Sequence, residues 1–279
     1  MIGQKKLQEN ISRLIIEQDF PRCVLFVGPK GSGRKTIAKD TANTLSELVV
    51  EVSDISIASI RTIIDSAYKL KETCVYIIPD IDGMSVAAKN ALLKVTEEPP
   101  NKAYFIMTIE DINNTLETIK SRATIFDMEP YTPDDIEEYY RSIYKRDDSE
   151  VALVKEMCET PGDVIGFVAR HPTEFMDYVE LVSDNIAEVS GANAFKIPSK
   201  VALKENEEGY DLKMFWKLFA KHSFQCALES EGLDKLIYLH RVGITSQYIQ
   251  SLRVKGINKQ MLMDAWILDI RKETLNGAE

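Results

Sequence analysis

The stretch Val24–Thr36, VLFVGPKGSGRKT, leaves the chain few choices. An apolar run, Val24–Val27, enters a turn carrying Gly28, Gly31 and Gly33, and leaves it through the basic pair Arg34-Lys35. A buried strand breaking into a glycine-rich turn at a helix start is the layout of a phosphate-binding loop, where backbone N–H groups and a helix N-terminus cradle anionic oxygens. The spelling departs from G-x-x-x-x-G-K-[ST]. Gly28 and Gly33 fit, but Arg34 stands where the lysine belongs and Lys35 where the hydroxyl belongs. A Lys-Thr pair follows one place late, as Lys35-Thr36.

Around this loop, apolar runs alternate with amphipathic stretches. Leu7, Ile11, Leu14 and Ile15 repeat with a helical period. Strands are expected at 24–27, 48–52, 74–78, 104–109 and 124–128, with helices at 35–45, 57–70 and 84–95. The run Glu97-Glu98-Pro99-Pro100 ends the last of these, because a residue before proline is pushed out of helical geometry. Such alternation predicts a parallel α/β sheet with the glycine loop at a strand's C-terminal end. After Pro130 the alternation stops and helices are expected at 132–144, 150–159, 162–169 and 173–189. Residues 191–209 are polar and turn-rich and read as a linker. Beyond them, Leu212, Phe215, Trp216 and Phe219, then Met261, Leu262, Ala265, Trp266 and Ile270, mark further apolar helix faces. The expected domains are 1–129 (α/β), 130–190 (all-α) and 191–279 (all-α), with both tryptophans as core.

Composition narrows the function. The 279 residues carry a net charge of −10, so any contact with DNA runs through a local patch or an assembly and not the overall field. No apolar run reaches the ~20 residues of a membrane span, and no signal-peptide pattern opens the chain, so a cytoplasmic location is expected. Cys23, Cys74, Cys158 and Cys226 are scattered, which predicts buried reduced thiols and no zinc or disulfide framework.

A P-loop ATPase needs a second apolar strand ending in acidic residues that hold Mg²⁺. Val75–Met84, VYIIPDIDGM, is in the right place, but its first acidic slot is Pro79. Asp80 fills the second, and Asp82 is expected on another face. From here the chain resembles the AAA+ subunits of bacterial and phage sliding-clamp loaders, closest to the delta-prime type of DNA polymerase III. The resemblance rests on Asn90-Ala91-Leu92-Leu93-Lys94, on Glu97-Glu98-Pro99-Pro100, on Ser121-Arg122-Ala123 where the family has Ser-Arg-Cys, and on the opening Ile2-Gly3-Gln4. It covers the α/β part by motif and the helical remainder by layout, as a lid and then a collar domain.

The resemblance implies a pentameric ring of AAA+ subunits that places a sliding clamp on primer–template DNA. In such rings a neighbour's Ser-Arg-Cys arginine reaches the ATP phosphates, which here makes Arg122 an arginine finger acting in trans. Arg61, on the helix after the second strand, corresponds to a DNA-phosphate contact. The same comparison marks losses at this chain's own nucleotide site: Arg34 for lysine, Pro79 for the metal carboxylate, Ile109-Glu110 where the family has polar sensor threonines, and Ile165 for the lid arginine. The expected reading is a subunit that does not hydrolyse ATP, with Gly28, Gly31, Gly33, Arg34, Lys35, Thr36 and Asp80 as the remnant of a cofactor site. ATP binding without hydrolysis stays open at this point, as does an active subunit with a variant loop.

Overall fold

The computed structural model describes residues 2–144, 148–169, 171–186, 189, 191–196, 198–203, 209–252, 254 and 256–276. Two compact units divide the chain, residues 1–145 with 158–164, and residues 146–157 with 165–279.

The first unit is built on five parallel strands, β1 (Cys23–Val27), β2 (Leu48–Glu51), β3 (Cys74–Ile78), β4 (Ala103–Ile109) and β5 (Thr124–Asp127), in the order β2-β3-β4-β1-β5. Its helices are α1 (Lys5–Ile16), α2 (Arg34–Leu45), α3 (Ile57–Ala67), α4 (Val86–Glu97), the short α5 (Glu117–Lys120) and α6 (Pro133–Ile143). Strand side chains alternate between faces, and the two cores follow that alternation. Val24, Phe26, Val75, Ile77 and Ile106 pack with Leu7 and Ile11 of α1 and Ile37, Ala38 and Ala42 of α2. Leu25, Val27, Tyr76, Ile78, Phe105 and Met107 pack with Ile60 and Ile64 of α3 and Ala88, Leu92 and Val95 of α4. Both faces are covered, which is why β1 and β3 read as unbroken apolar runs.

Local chemistry sets the element ends. Ser56 and Ser85 cap α3 and α4 by accepting the N–H of Ser59 and Ala88. Thr132 and Asp135 form a reciprocal capping box on α6, with Pro133 inside it. Helix α4 runs to Glu97, two residues past the expected end at Val95, and stops ahead of the paired prolines. Helix α3 ends at Ala67, short of the expected Leu70, because a tightened turn from Lys69 N–H to Ser66 C=O closes it.

In the second unit, α7 (Asp148–Met157), α9 (Pro172–Asn185), α10 (Leu212–Glu229), α11 (Gly232–Ser251) and α12 (Lys259–Asn276) are helical, and α8 (Pro161–Val168) begins in the first unit and ends in the second. Trp216 and Trp266 are fully buried, with Phe219 edge-on to Trp266 at 4.8 Å. The indole N–H of Trp266 donates to Thr245 Oγ1 at 3.1 Å. One feature departs from an all-α expectation. A two-residue ladder pairs β6 (Val201–Ala202), inside the stretch 191–209 read as a linker, with β7 (Tyr210–Asp211), just past its end; residues 197 and 204–208 of that stretch fall outside the described residues. Tyr210 anchors it by stacking on Phe175 at 4.0 Å, and that contact across 35 positions leaves no local periodicity to read.

Among the described residues no helix is long and apolar enough to cross a membrane. Cys23, Cys74 and Cys158 are buried and Cys226 is half-buried, and none of the four is in a disulfide. Burial pushes the Cys23 thiol up to about 12.

Candidate functional site

Parallel pairing of β1 with β4 and of β4 with β3 brings the three loops that follow these strands to one end of the sheet. The first is the glycine loop, Gly28–Gly33, between β1 and α2. Gly28 donates its N–H to Ile109 C=O at 3.2 Å, and a Cβ there would lie 2.7 Å from Met128. Gly31 and Gly33 take φ of +85° and +87°, a region that penalises other residues. Ser32 donates its N–H to Pro29 C=O at 3.1 Å, and the Tyr131 hydroxyl donates to Ser32 C=O at 2.8 Å. Gly33 caps α2 without a side chain, so the helix begins at Arg34 with its first N–H groups uncapped.

The loop's cations turn to the chain's own acid. Lys35 Nζ lies 2.6 Å from Asp80 Oδ2, and Arg34 Nη2 lies 3.5 Å from Asp80 Oδ1. Arg34 is 7% exposed, and its Nη1, like Ser32 Oγ, is buried with no hydrogen-bond partner among the described residues. Thr36 is exposed on α2. Asp80 sits at φ +49°, a strained conformation for a residue with a side chain. Its N–H donates to Thr108 Oγ1 at 2.9 Å, so the one threonine left at the end of β4 fixes this turn.

Asp82 does different work. Its carboxylate accepts the N–H of Glu110 at 2.8 Å, the N–H of Asp111 at 3.3 Å and the Asn114 side-chain amide at 3.2 Å; it points away from Asp80's partners, as expected, and onto the β4 loop, which the sequence did not indicate. Burial pushes this carboxyl up, but the three hydrogen bonds outweigh it and hold the group below the usual carboxylate value. Lys89 of α4 is buried and bonds the carbonyls of Asn114 and Asp82, which ties the same two turns together. The Glu110 side chain is exposed.

The start of α8 reaches the loop within the first unit. Gly162 donates its N–H to Gly31 C=O at 3.1 Å, and Thr160 Oγ1 is 3.5 Å from Lys30 C=O. A Cβ on Gly162 would stand 2.5 Å from Gly31 Cα. Asp163 accepts the N–H groups of Glu159 and Thr160 and so closes this turn. Ile165 is exposed on α8.

A magnesium nucleotide is the cofactor that a phosphate-binding loop of this layout points to, so the donor set is the test of fit. Pro79 offers no ligand, and the next carboxylate is committed to two cations. Among the described residues no group of three or more His, Cys, Asp or Glu could hold a metal. The residues present do not fit a catalytic magnesium.

Arg122 stands elsewhere. It follows α5 and precedes β5, so it lies at the N-terminal end of a strand parallel to β1, whereas the glycine loop leaves the C-terminal end of β1. With ~3.3 Å per strand residue, the arginine and the loop are at opposite ends of the sheet. Its Nη1 donates to Thr118 C=O at 3.0 Å and Ser121 Oγ at 3.3 Å, and its Nη2 is 3.1 Å from Glu97 Oε1. Arg61 is exposed on α3.

Four residues of these clusters carried no signal of their own roles: Thr108 under Asp80, Glu97 beside Arg122, Asp82 as a loop clasp, and Gln4. The Gln4 amide is fully buried and pairs with the Glu129 backbone in both directions, at 2.7 and 2.8 Å, fastening the chain start to the end of β5.

The fold is that of AAA+ proteins. The chain is similar in structure to the Holliday junction branch migration motor RuvB of Thermotoga maritima (TM-score 0.52, 17% identity, 95% of this chain and 88% of that one) and to a point mutant of the same RuvB (TM-score 0.54, 17% identity, 95% and 89%). In sequence the chain is similar to subunits of DNA polymerase III and of replication factor C. Residues 46–132 match the family described as DNA polymerase III, delta subunit. The chain is 26% identical over 162 residues to DNA polymerase III subunit tau of Bacillus subtilis (47% of this chain, 29% of that protein). It is 27% identical over 176 residues to DNA polymerase III subunit gamma of Buchnera aphidicola (52% and 48%), and 30% identical over 135 residues to replication factor C subunit 4 of Encephalitozoon cuniculi (45% and 43%). It thus spans a third to a half of the length of these curated relatives.

Proposed function

We propose that this chain is a subunit of a sliding-clamp loader of the delta-prime kind that does not hydrolyse ATP and that donates Arg122 to nucleotide phosphates held by a neighbouring subunit. The observation that carries the reading is the placement of Arg122 at the end of the sheet opposite the chain's own glycine loop. A guanidinium so placed serves a second chain's site and not its own. Supplied in trans, it neutralises charge that develops on the transferring phosphoryl group. The loss of hydrolysis is supported by Pro79 and by the pairing of Arg34 and Lys35 with Asp80. The partners are the other AAA+ subunits of a ring of five, the clamp, and primer–template DNA, with Arg61 on its phosphates.

A second reading, a subunit that binds ATP through a variant loop, is favoured by the buried unpartnered Ser32 Oγ and Arg34 Nη1. ATP binding and turnover by the purified chain separate the two. Magnesium-dependent hydrolysis by the isolated chain would sink the first. For Arg122, the test is the ATPase rate of the complex that co-purifies with the chain. Arg122→Ala is expected to leave folding intact and to slow the site it serves by about 10³-fold, lowering the total rate by that site's share. An unchanged rate would refute the role in trans.

A further inference from the structure

Helix α4 ends on two carboxylates, Glu97 and Glu98, at the negative end of its dipole, where cations belong and anions are unfavourable. The nearest basic residue of the last turn, Lys94, lies over the Tyr68 ring at 4.7 Å. What offsets Glu97 is Arg122, 3.1 Å away on a different element. The pairing is specific, because the carboxylate on the short helix just before the arginine, Glu117 of α5, is taken by Lys120 at 2.6 Å.

The same contact fixes the arginine's posture. Nη1 is folded back onto the Thr118 carbonyl and the Ser121 hydroxyl, and Nη2 is held by Glu97. Both terminal nitrogens, the ones that would meet a phosphate, are therefore engaged within the subunit. The pair is also easy to exchange. The Arg122 and Glu97 side chains are 36% and 50% exposed, and an ion pair so open to solvent gains little. A polyphosphate offers a denser negative charge and a better match to the guanidinium fork than one carboxylate oxygen.

We propose that Glu97 is a positioning residue that holds Arg122 retracted and releases it when a neighbouring subunit presents nucleotide phosphates, an inference that rests on the finger reading above. Glu97 then sets how much the finger reaches out in the absence of a neighbour's nucleotide, and so restrains idle hydrolysis by the ring.

Two readouts test this. In the full-length chain, the rate at which phenylglyoxal modifies Arg122 is followed by peptide mass spectrometry, with Arg13, paired to Glu17, as the internal standard. Glu97→Gln keeps the shape and removes the charge, and is expected to raise the Arg122 rate about two- to five-fold. Glu97→Asp keeps the charge and is expected to stay closer to the parent. In the co-purified complex, Glu97→Gln is expected to raise ATPase activity by a similar factor when clamp and DNA are absent, whereas Arg122→Ala lowers it. An unchanged modification rate in Glu97→Gln overturns the retention. A raised modification rate with ATPase activity unchanged or lowered, while Arg122→Ala still slows the complex, overturns the restraint and leaves the finger standing. Activity insensitive to Arg122→Ala overturns the finger, and the restraint with it.

Discussion

Two aspartates two positions apart leave β3, and they carry unrelated tasks. Asp80 neutralises the glycine loop's cations, and Asp82 clasps the turn after β4 through three hydrogen bonds. The turn Ile81–Gly83 is what separates their directions. Because hydrogen bonding holds the Asp82 carboxyl below its ordinary value of 3.8, its contribution has a defined sign with pH. A depressed folded-state value stabilises the protein fully above the unfolded value, and the gain is lost as pH falls through the lower folded one. Asp82→Ala is therefore expected to lower stability at pH 7 by about 1–2 kcal/mol, the range for hydrogen bonds to a partly exposed charge. In urea titrations the gap between the two proteins should narrow below pH ~4; a gap constant to pH 2 would mean that the charge is not what matters. The loop position is less tolerant than a conservative exchange suggests. Arg34 is buried under Asp80, and a planar guanidinium does not reproduce a lysine's compact point charge.

At the level of elements, the glycine loop is held from several sides: by Ile109, Met128, Tyr131 and the start of α8. The α8 contact is the tightest, since Gly162 and Gly31 meet backbone to backbone. Gly162→Ala would ordinarily help a helix by up to ~1 kcal/mol. Here its Cβ would fall 2.5 Å from a backbone atom that has no rotamer to yield. The expected net effect is a loss of about 1–3 kcal/mol in denaturant unfolding, and a gain in stability would show that the contact opens freely. Much of this level was legible beforehand. Strand and helix positions followed from apolar periodicity, and the paired prolines marked the end of α4. The ladder β6–β7 was not, because two-residue strands leave no period, and the Gly31–Gly162 contact was not, because each glycine alone looks like a turn residue.

For the molecule as a whole, charge bears on the proposed encounter with DNA. A chain of net charge −10 repels a polyanion at long range, so under the proposed function the attraction would come from a patch completed by other subunits. The isolated chain is expected to show no retention of primed DNA at ~150 mM salt, the usual physiological screening range. In the assembled complex, Arg61→Ala is expected to weaken binding and to reduce the salt dependence by about one phosphate contact. An Arg61→Ala complex with the parent's salt slope would remove Arg61 from the interface.

The sequence by itself determined the class of the first unit, because buried parallel strands and a glycine turn before a helix admit few arrangements. It also singled out Arg122 and the departures at Arg34 and Pro79, since those are matters of residue identity at fixed spacing. Tertiary structure alone decided what each charge is spent on. That Lys35 and Arg34 meet Asp80, that Glu97 meets Arg122, and that Thr108 and Gln4 lock backbone turns are all contacts between residues far apart along the chain. Ion pairs and single hydrogen bonds have no period along a chain, so nothing local announces them until the sheet's strand order brings the partners together.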